Sequence, residues 1–296
     1  MQATVTLLQT ALLPDFPSGS AIVYHQDKLY LVGDDATYVR VMDTQYQEIA
    51  RIPLFETTVP RIPKAQKADL EAAVIREWEG VTTLLLIGSA ATPQREQLIS
   101  IPLSNAGTPL FYPNPLIPAL QQAGLTELNI EGATIIGDKL VWANRGNDTH
   151  RTNHLLVTVP DIETTAAPIS LTMIAVDTGI KDTPLFTGIS ELCYVAQHDL
   201  LLLAVSVEAT ANAYDDGEIG DSYIAWITNV STRLHHRALT CDGYVALGAV
   251  SEVLKQQKIE GICVESITAD SWILHLASDN DAGATGLFRI SFRLTS

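Results

Sequence analysis

Two segments of this chain set a glutamate one residue into an apolar run, Ile130-Glu131-Gly132 and Ile259-Glu260-Gly261, and "LEAAVIREW" puts Glu71 at the head of a third. An ionised carboxylate that leaves water without a partner costs several kcal/mol or takes up a proton instead. A chain that repeats the placement has a use for it. Two further apolar runs begin with Ser20 (or Ser18, two residues earlier) and with Ser190. If the five runs converge, three carboxylates and two hydroxyls face one another, and repulsion raises at least one pKa unless a cation neutralises the group. The donors are all oxygen, with no His or Cys among them, so the fitting cation is calcium, which takes six to eight oxygens at roughly 2.3 to 2.6 Å. The alternative is that the carboxylates accept backbone N–H bonds from neighbouring strands or sit in a water-filled channel.

Convergence needs elements that bring the five runs together. Short stretches rich in Val, Ile, Leu, Tyr and Thr, punctuated by Gly, Asp, Asn and Pro, read as strands throughout. Helical periodicity is confined to "AQKADLEAA" and "LIPALQQAGL", each good for a turn or two. The strands group into a unit of about 50 to 70 residues, the period of propeller blades or slightly above it. Five units result, over 18–55, 69–117, 129–177, 187–241 and 258–294. The last is one strand short, and "ATVTLLQTA" at 3–11 has no partner in the first. Closing the fifth blade with that N-terminal strand removes two exposed sheet edges. The expectation is an all-β, five-bladed β-propeller of four-stranded antiparallel blades, a single domain over 1–296.

In such a blade the start of the innermost strand and the loop between the second and third strands share a face. Those loops are the long ones: "GDDAT", "SAATPQRE", "NRGNDTHRTN", "EATANAYDDGEIGD" and "SDNDAGAT". Loops on a rigid scaffold are where sites usually sit. They carry Asp34 and Asp35; Arg95, Arg145 and Arg151, whose guanidinium forks suit phosphate or carboxylate; and His150 and His154, which lack the helical pattern and adjacent glutamate of a zinc helix. The acidic loop with Asp215, Asp216, Glu218 and Asp221 lacks an EF-hand's alternating ligands and closing glutamate, and reads as a solvated hairpin tip, as does the loop with Asp279 and Asp281.

With 296 residues and 18 Lys+Arg against 34 Asp+Glu, the formal charge of −16 opposes nucleic acid, whose affinity comes largely from phosphate neutralisation. No apolar run approaches a membrane helix and the N-terminus lacks a basic signal-peptide region. A cytoplasmic protein is expected, or a periplasmic or secreted one if a signal has been removed. Cys193, Cys241 and Cys263 are too widely spaced for a CxxC site and read as buried free thiols.

The order Ser, Glu, Glu, Ser, Glu over five blades resembles the axial calcium site of the calcium-activated nucleotidase (soluble apyrase) family. "SAIVYHQDKLYLVGDD" resembles that family's first-blade segment ending in an Asp-Asp pair, here Asp34 and Asp35, and "KIEGICVE" its last-blade glutamate motif. Ala36 stands where that family has arginine. The chain is also similar to bacterial propellers near the phytase-like and esterase-like propeller domains. The resemblance implies a propeller with an axial calcium held by Ser20, Glu71, Glu131, Ser190 and Glu260, acting on phosphoanhydrides or phosphoesters. Asp34 or Asp35 would position or deprotonate a water, and Arg145 would stabilise developing charge on a small anionic substrate. The other expectation is a noncatalytic propeller that binds a ligand or partner around a structural ion.

Overall fold

Leu200–Ala209 reads LLLLAVSVEA and is buried along nearly its whole length. A strand needs apolar residues at consecutive positions, rather than alternate ones, only when both faces of its sheet are covered. The computed structural model describes residues 1–295 except 58, 105–106, 163–168, 210–211, 213–216, 269–270 and 280–282. It shows what does the covering.

The chain begins with β1 (Gln2–Leu13), whose partner lies at the other end of the sequence. Blade one follows as β2 (Gly19–His25), β3 (Lys28–Gly33), β4 (Tyr38–Met42) and β5 (Glu48–Pro53). Blade two is β6 (Leu70–Trp78), β7 (Val81–Gly88), β8 (Gln97–Pro102) and β9 (Leu110–Pro113), trailed by a short helix α1 (Ile117–Gln122). Blade three is β10 (Ile130–Ile136), β11 (Lys139–Asn144), β12 (Asn153–Thr158) and β13 (Thr172–Asp177). Blade four is β14 (Thr187–Val195), β15 (Leu200–Ala209), β16 (Glu218–Thr228) and, after β17 (Ala238–Thr240), β18 (Gly243–Ala246). Blade five is β19 (Lys258–Ile267), β20 (Trp272–Asp279) and β21 (Thr285–Thr295), completed by β1. The protein is a five-bladed β-propeller. Among the described residues no helix is long and apolar enough to cross a membrane.

The period-2 alternation of each strand feeds two different seams. In β15, Leu201, Leu203 and Val205 pack with blade three, while Leu200, Leu202 and Ala204 pack with blade five. Every other seam is filled in the same way, and the last joins Ile22, Leu29 and Met42 of blade one to Cys263, Ala277 and Leu287 of blade five. The innermost strands β2, β6, β10, β14 and β19 touch in that order and close the ring, β19 against β2. Neighbouring blades are so close there that a Cβ on Gly132 would lie 2.8 Å from the Glu191 Cα, and one on Gly261 2.9 Å from the Ile22 nitrogen. Both glycines are there for close approach.

Two sequence expectations change. "AQKADLEAA" is not helical: it turns and enters β6. The stretch "HRALTCD", read as the outer strand of blade four, instead yields β17, which pairs in parallel with β13 of blade three, Ala175 opposite Ala238. Its Leu239 and Cys241 are buried in the seam between blades three and four. Asp242 then accepts the Thr228 N–H and hydroxyl, each at 2.7 Å, and turns the chain back so that β18 pairs with β16.

The seam between blades five and one holds a buried polar cluster. His275 Nδ1 lies 3.0 Å from the Tyr46 hydroxyl and Nε2 2.9 Å from Glu265, which also accepts from Arg289 Nε (2.9 Å) and Nη2 (3.0 Å). Burial pushes the His275 pKa down from 6.5 to about 4, against the pull of Glu265. The unfolded chain therefore binds the proton first, and the stability held by a neutral His275 is present above about pH 6.5 and lost as pH falls toward 4. Thermal unfolding is expected to show that acid loss, on the order of 3 kcal/mol, and His275→Gln should flatten it.

Candidate functional site

Each innermost strand breaks register with its neighbour once near its start: between Gly19 and Ala21, Leu70 and Ala72, Ile130 and Gly132, Ile189 and Glu191, and Ile259 and Gly261. The residues skipped are Ser20, Glu71, Glu131, Ser190 and Glu260. A bulge leaves one residue unpaired and re-aims its side chain, so these five positions are structurally equivalent. Their side chains then part company. Ser20 Oγ donates to the Leu70 carbonyl of blade two, and Ser190 Oγ to the Ile259 carbonyl of blade five at 2.6 Å. The two hydroxyls tie neighbouring blades and do not line the cavity at the channel mouth. Glu71, Glu131 and Glu260 do line it.

That cavity, about 360 Å³, is walled by charge. Part of the wall is a second layer, two residues before each bulge, where strand alternation returns a side chain to the same face: Ser18, Asp69, Asn129 and Lys258. In blade four the position is Gly188, where a Cβ would collide with the Arg145 side chain. Lys67 bridges Asp34 and Asp69, 2.6 Å from the latter. Arg95 pairs with Asp69 at 2.6 Å, and Arg61 with Asp35 at 2.7 Å while donating to Ser18 Oγ at 3.1 Å. Arg145, buried, lies 3.6 Å from Glu131 and 3.3 Å from Glu208; Lys258 lies 3.2 Å from Glu208 and 2.8 Å from Glu260. Asn129 Nδ2 donates to Glu131 at 2.6 Å.

Among the described residues Glu71 alone of the three ring glutamates makes no hydrogen bond or ion pair. Burial pushes its carboxyl pKa well up, and the nearby Asp69, Glu131, Asp34 and Glu260 push it further. Burial also raises Asp34, to about 6, with Lys67 pulling against it. Glu131 and Glu260 are raised by burial, against Arg145 and Lys258 respectively. For Glu208 burial acts upward, but Lys258 and Arg145 outweigh it and hold the group ionised. Among the described residues Asp34 Oδ1 and Asp35 Oδ1 are buried acceptors without a hydrogen-bond partner, and orphaned atoms of that kind call for an explanation. The cavity thus sets carboxyls raised by burial, Glu71, Asp34, Glu131 and Glu260, beside Glu208, which its two cations lower.

Among the described residues one group of carboxylates has metal-binding spacing: oxygens of Asp34, Asp69 and Glu71 lie within 4.8 Å of one another. Of the expected calcium ligands Ser20, Glu71, Glu131, Ser190 and Glu260, only Glu71 belongs to it. Asp34, Asp35, Arg95, Arg145 and Asp279 all line the cavity. Arg151 does not: it pairs with Asp148 and sits over Phe186. It borders a separate cavity beside blade three with His150, held 2.7 Å from Glu127, and His154. Asp221 accepts from the Gln256 N–H on another part of the surface. Asp215, Asp216 and Asp281, and the side chain of Glu218, lie outside the described residues. Lys67, Asp69, Glu208, Lys258 and Arg61 were not singled out from the sequence. For two of them a signal existed in the triplets Asp69-Leu70-Glu71 and Lys258-Ile259-Glu260, which match Asn129-Ile130-Glu131.

Residues 15–292 match the model of a family described as "Family of unknown function (DUF6929)". A search of curated proteins finds no match. Among solved structures, the glutaminyl cyclase of Myxococcus xanthus is similar over 99% of this chain and 98% of its own, with 12% identity and a TM-score of 0.57. The Cellvibrio cellulosa α-L-arabinanase complexed with arabinohexaose is similar over 96% and 92%, with 11% identity and a TM-score of 0.53. At such identities the likeness is one of fold.

Proposed function

The chain belongs to the DUF6929 family, and we propose that it is a hydrolase working in the axial cavity, with Glu71 as proton donor and Asp34 as the base that positions the attacking water. The observation that carries this reading is the Glu71 carboxyl: it borders the cavity, has no partner among the described residues, and has its pKa driven well up by burial. A carboxylic acid kept protonated beside an ionisable carboxylate is the arrangement that hydrolytic acid–base catalysis uses. The substrate class is a small anionic phosphoester or phosphoanhydride, met at the rim by the half-exposed Arg61 and by Lys64. Water oxygen bonds to phosphorus as the bond to the leaving oxygen breaks. Asp34 takes a proton from the water and Glu71 gives one to the leaving group, after which exchange with solvent resets both. Arg145 acts from behind, holding Glu131 and Glu208 in place.

The spacing of the Asp34, Asp69 and Glu71 oxygens favours a second reading, in which a calcium ion held there polarises the phosphoryl oxygens. One experiment tests both. Purified protein and its Glu71→Gln variant are incubated with nitrophenyl and nucleotide phosphates, in calcium or in chelator. Turnover that survives chelation and disappears in Glu71→Gln supports the acid–base reading, and turnover that needs calcium supports the second. No phosphate release from folded protein sinks both and leaves a ligand-binding propeller.

A further inference from the structure

We infer that the Lys67 ammonium occupies the cation position of the axial carboxylate cluster, as an internal counter-ion that takes the place of a divalent metal. The inference rests on the acid–base reading of the same cavity and concerns a positioning residue. Lys67 approaches the cluster from the segment between blades one and two. Its side chain is 11% exposed, and it bridges Asp34 and Asp69, two of the three residues whose oxygens have metal-ligand spacing. Burial would lower the Lys67 pKa, but Asp34, Asp69 and Glu71 together hold it up, so the ammonium stays charged.

A divalent ion would need two of the carboxylates that Lys67 engages and would sit against a fixed positive charge, which disfavours it. Arg95 adds a second cation on Asp69, 2.6 Å away and equally buried. Asp35, Asp69 and Glu71 crowd Asp34 with like charge, and Lys67 is the cation in direct contact with it, with Arg61 acting from farther off. Lys67 is therefore the charge that holds the Asp34 and Asp69 carboxylates side by side, and Glu71 makes no ion pair with it.

The test uses Lys67→Met, which keeps most of the aliphatic stem and removes the charge. Calorimetric titration with calcium chloride is expected to give Lys67→Met a dissociation constant in the range of about 10⁻⁵ to 10⁻³ M, and the native protein binding at least about a hundredfold weaker. In thermal melts calcium chloride should stabilise Lys67→Met and leave the native protein unchanged. A role in packing alone would shift neither. Native protein that binds calcium as tightly as the variant overturns the inference, as does folded Lys67→Met that binds none. If Lys67→Met folds only with calcium, the inference holds. If it folds under neither condition, the native protein decides: thermal stabilisation by calcium that Glu71→Gln abolishes overturns the inference, and no response supports it. If no phosphoester is hydrolysed, the hydrolase reading fails while the calorimetry still decides the role of Lys67.

Discussion

Glu71→Gln is expected to lower turnover by roughly 10²- to 10⁴-fold, the usual contribution of a positioned proton donor, while making the protein more stable at neutral and alkaline pH. The two effects share one cause. Burial and four surrounding carboxylates raise the Glu71 pKa well above 4.5, its value in the unfolded chain. Above pH 4.5 the unfolded chain releases this proton and the native state keeps it. The native state therefore binds more protons, and stability falls with rising pH until the native Glu71 also ionises. Glutamine has the shape of the protonated acid and never ionises, so the variant escapes that loss. Asp34 adds to the same slope: its rise from 3.8 to about 6 corresponds to about 3 kcal/mol. That contribution is present below about pH 4 and lost as pH passes through 6. Melting temperatures of native and variant protein across pH check the prediction. A Glu71→Gln protein that is less stable than native at alkaline pH would show that an ionised, satisfied Glu71 supports the fold.

Deleting β1 is expected to cost on the order of 5 kcal/mol or more, enough to unfold or aggregate a domain of ordinary marginal stability. The strand pairs with β21 from Gln2 opposite Thr295 to Leu13 opposite Thr285. It packs Ala3, Val5 and Leu7 onto the seam between blades four and five, and Ala11 and Leu13 onto the seam between five and one. Without it the long strand β21 becomes a free edge, a template for pairing with another chain. Urea unfolding and light scattering of a chain starting at Pro14 would measure both losses. The prediction fails if that chain is monomeric and unfolds at the native urea midpoint. Adding the 1–13 peptide in trans should restore part of the loss.

The blade count and the N-terminal closure were legible because each strand pairs mainly with its sequence neighbour and is bounded by turn residues. The ring positions were legible because a glutamate inside an apolar run is conspicuous. What Ser20 and Ser190 do there was not, since a hydroxyl can satisfy a neighbouring strand's carbonyl as readily as it faces a channel, and which it does depends on the packing distance between blades. The ionic partners were hidden for a different reason. Lys67 and Arg61 come from a connection between blades, and Glu208 from the far end of β15. Their pairings depend on how the blades sit around the axis, which no local pattern encodes. β17 was assigned to the wrong blade because a three-residue parallel pairing leaves no periodicity to read.

That small strand has a consequence for how the ring comes apart. Ala175 N–H bonds to the Arg237 carbonyl at 3.0 Å, and Cys241 N–H to the Asp177 carbonyl at 2.9 Å, so the chain leaving blade four is clasped into the margin of blade three before it returns. Pulling blade four open drags on its neighbour. The two blades should therefore open as one unit, with the amides of β13 and β18 exchanging together.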